Sequence, residues 1–502
     1  MKLPVFIAKR KSGSFLFIII FHFYTLSAKP YIEYSEIAGD AYKAAISLRL
    51  EEAQRLLTLM GSREPENLAR LHIENYIDFF YLFVKEDQKE FTKREGNRAR
   101  RLQLLESANL EVPESRFIQA EILLQWALIR LKFDQKLKAG GEIYEAYKLL
   151  EANKKLYPKF EENKKSLSII HTLAESLPGW IRKVVGIKGS IQLGEKEIID
   201  LVKIANSKKD YFFREEAIAI NAYIWYYQAN KKNQAIQLLK NSNLDHKTNP
   251  MLAFLKASLA LRHGNNEECI KYLTEAPRTK EYLDFDYLDY MLGRSLLYKL
   301  DDSSVSYMKT FVQNFKGQHY IKEAYQKIAW SKIVFGNDLA AYKKEMANCA
   351  KYGNSLIDED QQALTESKEN ATPHPILLKA RLLYDGGYYG QAQNILIKNG
   401  HLFTNKGEGP LEYHYRLGRT LQALKNYPDA ITYLIKTIEL GKNNKKYFAC
   451  NAALQIGLIY EENKNDVQAK KYYNLCLKIK PTEYQTSLHQ KAKSGLERVS
   501  SK

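Results

Sequence analysis

Three aspartates crowd one short stretch, EYLDFDYLDY, at Asp284, Asp286 and Asp289, and clustered carboxylates are what calcium binding or acid–base work would use. The stretch has neither the turn glycine nor the closing glutamate of a calcium loop. It also overlaps the start of an amphipathic run, where acidic side chains favour the helix dipole, so a solvated helix start explains it more simply. The ten histidines are scattered, with no HExxH and no pair at i,i+4. CxxC, GxSxG and Walker sequences are all missing. Gly186, Gly189 and Gly194 form G-x-x-G-x-x-x-x-G, a pattern without the GK[ST] ending or preceding strand of a phosphate loop. Glycines that permit positive φ between two helices are the simpler account. Nothing selects a catalytic residue, a cofactor site or a metal site, so the chain is expected not to be an enzyme.

The cysteines do not add a redox centre. Cys269 takes the place of a small buried filler, and Cys349 has no evident mate. Cys450 and Cys476 fall on two paired helices; such axes lie about 8–10 Å apart, while a disulfide wants Cα atoms within about 7 Å, so free thiols are expected.

One constellation remains. Arg294, Arg381 and Arg419 directly follow the small residues Gly293, Ala380 and Gly418. Tyr290 and Tyr415 stand one helical turn before, and Tyr298 and Tyr384 about one turn after. Arginine supplies forked donors and tyrosine a stacking surface at low entropy cost, a combination that suits acidic or C-terminal carboxylate ligands. With 35 tyrosines in the chain, plain solvation of a helix face accounts for the pattern equally well.

The elements that would position these residues repeat. KARLLYDGGYYGQAQNIL, LGRTLQALKNYPDAITYL and IGLIYEENKNDVQAKKYY each carry two small residues twelve apart with a turn between: Ala380/Ala392, Gly418/Ala430 and Gly457/Ala469. Small residues at matched places let paired helices approach, and a hairpin that cannot bury its apolar face alone stacks on its neighbours. At this point the sequence resembles the tetratricopeptide-repeat family, and the last unit, LCLKIKP, ends on Pro481 where that family commonly has a helix-stopping proline. The resemblance implies an all-α, tetratricopeptide-like α-solenoid of antiparallel helix pairs with a C-terminal capping helix. It also implies that Tyr290, Arg294, Tyr298, Arg381, Tyr384, Tyr415 and Arg419 face a concave, partner-binding groove. The chaperone-binding members use asparagine where these arginines stand, so their carboxylate clamp is not implied. A second segment, His171–Val202, joins a stop at Leu177-Pro178 to the turn Gly186-Ile187-Lys188-Gly189. It resembles the signature of the tetratricopeptide-repeat protein 39 family, with isoleucine in place of that family's aromatic, and implies a membrane-associated lipid-handling or clearance factor as the alternative function.

Six segments are expected: a signal peptide at 1–28, a helical domain at 29–205, divergent repeats at 206–355, a polar loop at 356–375, three clear repeats at 376–481, and a capping helix and tail at 482–502. Ser115 is expected to cap the helix running through FIQAEILLQWALIRLKF. Residues 1–28 place Lys2, Lys9, Arg10 and Lys11 before a 12-residue apolar run, Phe15–Leu26, which is shorter than the roughly 20 residues a spanning helix needs. Export to the periplasm or cell envelope follows, with an uncleaved anchor as the alternative. The net charge is +18, of which four belong to the first 28 residues. Without a glycine–aromatic RNA motif or zinc-finger spacing, that charge points to solubility, a membrane surface or an acidic partner rather than nucleic acid. The expectation is a scaffold that holds a protein or peptide partner.

Overall fold

The computed structural model describes residues 29–176, 186–208, 211–369, 371–404 and 408–500. The expected signal peptide at 1–28, the expected stop at Leu177-Pro178 and the run after it lie outside these. Among the described residues, helices follow one another along the whole chain, and Tyr31 and Asn67 form an isolated bridge. The helices are α1 (Glu36–Ile46), α2 (Leu50–Arg63), α3 (Ala69–Lys85), α4 (Gln88–Ser107), α5 (Pro113–Lys132), α6 (Lys136–Leu156), α7 (Asn163–Ser176), α8 (Ile191–Ser207), α9 (Arg214–Tyr223) and α10 (Lys232–Asn241). Then come α11 (Pro250–Arg262), α12 (Asn266–Thr274), α13 (Tyr287–Tyr298), α14 (Ser304–Asn314), α15 (Ile321–Gly336), α16 (Leu339–Lys351) and α17 (Asp358–Lys368). The C-terminal part holds α18 (Pro375–Asp385), α19 (Tyr389–Lys398), α20 (Glu408–Ala423), α21 (Tyr427–Gly441), α22 (Phe448–Glu462), α23 (Asp466–Lys478) and α24 (Gln485–Ser500). Among the described residues no helix is long and apolar enough to cross a membrane.

Helices pack as consecutive pairs, and the first helices α18, α20, α22 and then α24 lie side by side. The fold is therefore an all-α solenoid of antiparallel helix pairs. The small-residue pairs set the spacing. Ala380, Ala392, Ala430 and Ala469 are buried, and a Cβ on Gly418 or Gly457 would stand 2.8 Å from Leu434 Cγ or 2.6 Å from Tyr473 Cδ1. Gly293 does the same in the α13–α14 pair against Met308. Cys269 fills such a place, buried with its thiol 3.3 Å from Ser295 Oγ.

Several local expectations change. The polar stretch 356–375, expected to be a loop, contains α17, packed against α15. Its polar side chains serve that neighbour. Asp360 accepts from the Tyr320 and Glu323 N–H groups at 2.6 and 3.0 Å, capping α15, and Glu366 accepts from Gln326 Nε2 and Trp330 Nε1, both at 2.6 Å. Helix α5 starts at Pro113 with Val112 as its cap, so Ser115 lies inside it. Of the three clustered glycines only Gly186 has positive φ, +68°. A Cβ on Gly189 would come within 2.6 Å of His171 Cα, and one on Gly194, inside α8, within 2.4 Å of Ser168 O. These two let α8 and its lead-in press onto α7.

The N-terminal block holds charge in its interior. Lys165, 1% exposed, places Nζ 2.7 Å from Glu121 Oε2, 3.0 Å from Glu216 Oε2 and 2.8 Å from the Tyr76 hydroxyl. Its ammonium also sits 4.2 Å from the Phe213 ring centroid. Burial opposes ionisation of Glu121, but Lys165 and His72 overcome it and hold the carboxyl down at about 2.

The winding also brings distant segments together. Leu283 N donates to Leu48 O at 2.8 Å, and His319 Nδ1 is 2.6 Å from Glu86 Oε2. Tyr388 accepts from Asn266 Nδ2 at 3.1 Å and donates to Glu267 Oε1 at 2.9 Å. Beside it Gly387, with φ +83°, lies so near the neighbouring turn that a Cβ would stand 2.0 Å from Gly264 O. Only glycine fits there.

All four cysteines are free and buried, yet Cys450 and Cys476 bring their sulfurs to 3.5 Å across the α22–α23 pair, closer than generic axis spacing implied. Treatment with diamide, which takes up two hydrogens at its N=N bond, is expected to close a Cys450–Cys476 disulfide and leave Cys269 and Cys349 as thiols. Non-reducing peptide mapping checks this, and recovery of both peptides as free thiols after complete diamide exposure would refute it.

Candidate functional site

Helix α18 contributes Arg381 and Tyr384, and α20 contributes Tyr415 and Arg419. These four of the seven groove residues surround one cavity of about 300 Å³. Each lies one turn from, or beside, the small residue that seats its helix, so the packing that fixes the pairs also aims these side chains at the same side. Arg419 Nη2 donates to the Tyr384 hydroxyl at 2.6 Å and lies 5.5 Å from that ring's centroid. Arg381 stacks its guanidinium 4.5 Å over Trp330. Asn451, from α22, donates to the Tyr415 hydroxyl at 2.7 Å.

Tyr290, Arg294 and Tyr298 lie elsewhere. Tyr290 is fully buried, and its hydroxyl donates to the buried Glu323 carboxylate. Arg294 Nη1 donates back to the Tyr290 oxygen at 3.2 Å, with the guanidinium 5.1 Å from its ring. Tyr298 packs behind the α18–α19 turn, where a Cβ on Gly386 would meet its Cβ at 2.9 Å. These three belong to the packing between α13, α15 and the α18–α19 pair rather than to the cavity wall, because α15 lies beside α13 and covers that face.

The other wall residues have no counterpart in the sequence pattern, Arg416, Tyr447, Tyr484 and Lys491 among them. Arg416 is 8% exposed and is held by Glu412, which accepts from Nε at 3.0 Å and Nη2 at 2.8 Å. Tyr447 precedes α22, and its ring meets Tyr484 edge-on at 5.3 Å. Tyr484 and Lys491 come from the lead-in and first turns of α24, so the expected capping helix also forms a wall. Their positions follow from which helices meet, a tertiary fact; only the Arg416–Glu412 spacing at i,i+4 was available in the sequence. Burial and the neighbouring Tyr447 push the Tyr484 hydroxyl up to about 12, and burial raises that of Tyr415 as well, so both remain proton donors at neutral pH.

The aspartate cluster borders a second cavity of about 510 Å³; Asp284 is exposed, as a solvated helix start implies, but the other two carboxylates are paired. Asp286 is buried and takes Lys85 Nζ at 2.6 Å, while Asp289 takes Arg278 Nη1 at 2.5 Å. The first of these ties α3 to the start of α13.

This geometry defines a helical-repeat solenoid of tetratricopeptide-like pairs with a basic, tyrosine-lined hollow near its C-terminal end. Among solved structures, the chain is similar to yeast Tom70, at 14% identity over 87% of this chain and 91% of that one, with a TM-score of 0.31. It is also similar to Naa15/Naa10 bound to HypK-THB, at 12% identity, 92% and 66% coverage and a TM-score of 0.23. A third is the APC/C hetero-tetramer Cut9–Hcn1, at 13% identity, 91% and 96% coverage and a TM-score of 0.24. At these values the fold rests on the helix pairs themselves. No protein-family model matches the chain, and no curated protein sequence matches it.

Proposed function

We propose that this chain is a non-catalytic scaffold that holds a protein or peptide partner, of acidic character, in the hollow lined by α18, α20, α22 and α24. The carrying observation is the convergence of Arg381, Arg416 and Arg419 with Tyr384, Tyr415 and Tyr484 around one cavity. Forked donors and rigid rings gathered around one hollow are the chemistry of interaction anchors. An exported location in the periplasm or cell envelope is part of the same proposal, supported by the order of basic and apolar residues at 1–28. That segment also supports the second reading, a membrane-associated lipid-handling or clearance factor; N-terminal sequencing of the natural product separates the two, since retention of residues 1–28 favours the second.

The test is capture by the full chain from its native host, with partners identified by cross-linking and mass spectrometry. Arg381→Gln with Arg419→Gln is the right pair, because burying a carboxylate against Trp330 or Tyr384 would unsettle the fold for reasons unrelated to binding. Each arginine is expected to contribute about 2 kcal/mol or more to partner affinity, so the double variant loses capture while its melting temperature stays within a few degrees. Undiminished capture overturns the proposal.

A further inference from the structure

The wall of the hollow is rich in donors and poor in acceptors. Arg381, Arg416, Arg419 and Lys491 bring four cations to it, and Asp385 is the single carboxylate among the wall residues. Asp385 is a loose partner, with Oδ2 3.9 Å from Arg381 Nε. Glu412 compensates Arg416 from behind through Nε and Nη2. Arg419 is bonded to a neutral hydroxyl, and among the described residues Lys491 shows no ion pair. Arg416 and Arg381 also repel each other. After the two pairings, about two positive charges still face the cavity, and a single carboxylate would leave one of them uncompensated. The tyrosines point the same way. The Tyr384 oxygen already accepts from Arg419 and the Tyr415 oxygen from Asn451, which leaves the O–H of each free to donate to a bound acceptor.

We infer that the hollow is the seat of a dianionic, tetrahedral oxyanion, the phosphoryl group of a phosphorylated side chain on the peptide partner. The assignment rests on the reading that this cavity receives that partner. A phosphomonoester carries close to two negative charges at neutral pH and offers three acceptor oxygens, which matches both the uncompensated charge and the surplus of donors. Arginine forks recognise that geometry better than they do a lone carboxylate. The enclosure by α18, α20, α22 and α24 forms a pocket for one group rather than a stripe along which a nucleic-acid backbone would track.

Titration calorimetry on the full chain at physiological salt tests this with a short Gly-Ser-Ala peptide carrying one phosphoserine. The same peptide with serine or with glutamate in that place, inorganic phosphate, and a short single-stranded RNA complete the probes. The phosphopeptide is expected to bind about tenfold or more tighter than the serine and glutamate forms, and inorganic phosphate to compete with it. Lys491→Gln, which removes an exposed side chain, and Arg381→Gln are each expected to weaken the phosphopeptide by about five- to tenfold, while Lys203→Gln on α8 leaves it unchanged. Equal affinity for the glutamate peptide, tighter binding of the RNA, or indifference to Lys491→Gln and Arg381→Gln overturns the assignment. If phosphopeptide binding fails while partner capture still depends on Arg381 and Arg419, the phosphoryl assignment falls and the scaffold reading stands. If neither depends on them, both fall.

Discussion

Lys165→Met is expected to lower stability by about 3–5 kcal/mol, the loss typical when one partner of a buried ion cluster is removed. The methionine fills much of the volume among Tyr76, Phe117 and Phe213, but it leaves Glu121 buried without its cation. Denaturant unfolding at neutral pH reads the loss directly. Its dependence on pH distinguishes lost charge from lost packing. In the native chain the Glu121 carboxyl is held at about 2, below the ordinary value of about 4.3. Its contribution is therefore present above about pH 4.3 and lost as the pH falls toward 2. In the variant the unpaired carboxyl prefers its proton, so the gap between the two proteins narrows on acidification. Adding Glu121→Gln to Lys165→Met is expected to recover part of the loss at pH 7. A gap that is independent of pH would show that packing, not charge, holds this cluster.

Gly194→Val is expected to destabilise the α7–α8 pair by about 3 kcal/mol or more, at or beyond the usual upper end for overpacking. A Cβ there lies 2.1 Å from Thr172 Oγ1 and 2.4 Å from Ser168 O, and the second atom is backbone that cannot swing away. Gly140 and Gly141 provide the contrast. They lie within α6 with nothing within 4 Å of an added Cβ, so alanine at either is expected to stabilise by about 0.5–1 kcal/mol. Thermal unfolding of the three variants checks both signs at once, and a tolerated Gly194→Val would mean that α7 and α8 sit further apart than described.

The repeated pairs were legible because Ala380/Ala392, Gly418/Ala430 and Gly457/Ala469 report a contact between sequence neighbours, and a helix hairpin is a local object. Part of the hollow was legible for the same reason: Arg381, Tyr384, Tyr415 and Arg419 share a register with those small residues. The rest depends on which helices meet. Tyr447, Tyr484 and Lys491 reach the cavity because α22 and α24 close around it, and Tyr290 and Arg294 are withdrawn because α15 covers them. Helix α17 was hidden by its composition. Its acidic and amide residues read as solvated loop, yet Asp360 accepts from N–H groups at the start of α15 and Glu366 from Trp330 on it. Lys165 was hidden likewise, one lysine among many until Glu121 and Glu216 are seen on either side.

A solenoid whose units touched only their sequential neighbours could melt piecemeal from its ends and be shortened without harm to what remains. This chain has staples across its winding: Glu86 with His319, the Leu48 carbonyl with Leu283, and the Gly264 turn pressed into the Gly387 turn. Deleting a terminal block would strip partners from segments more than a hundred positions away, so truncations chosen at apparent repeat boundaries inherit raw, unmatched surfaces. The chain is therefore expected to unfold as one cooperative body, and removal of the N-terminal helices to loosen packing as far as the α18–α19 turn beside the C-terminal hollow.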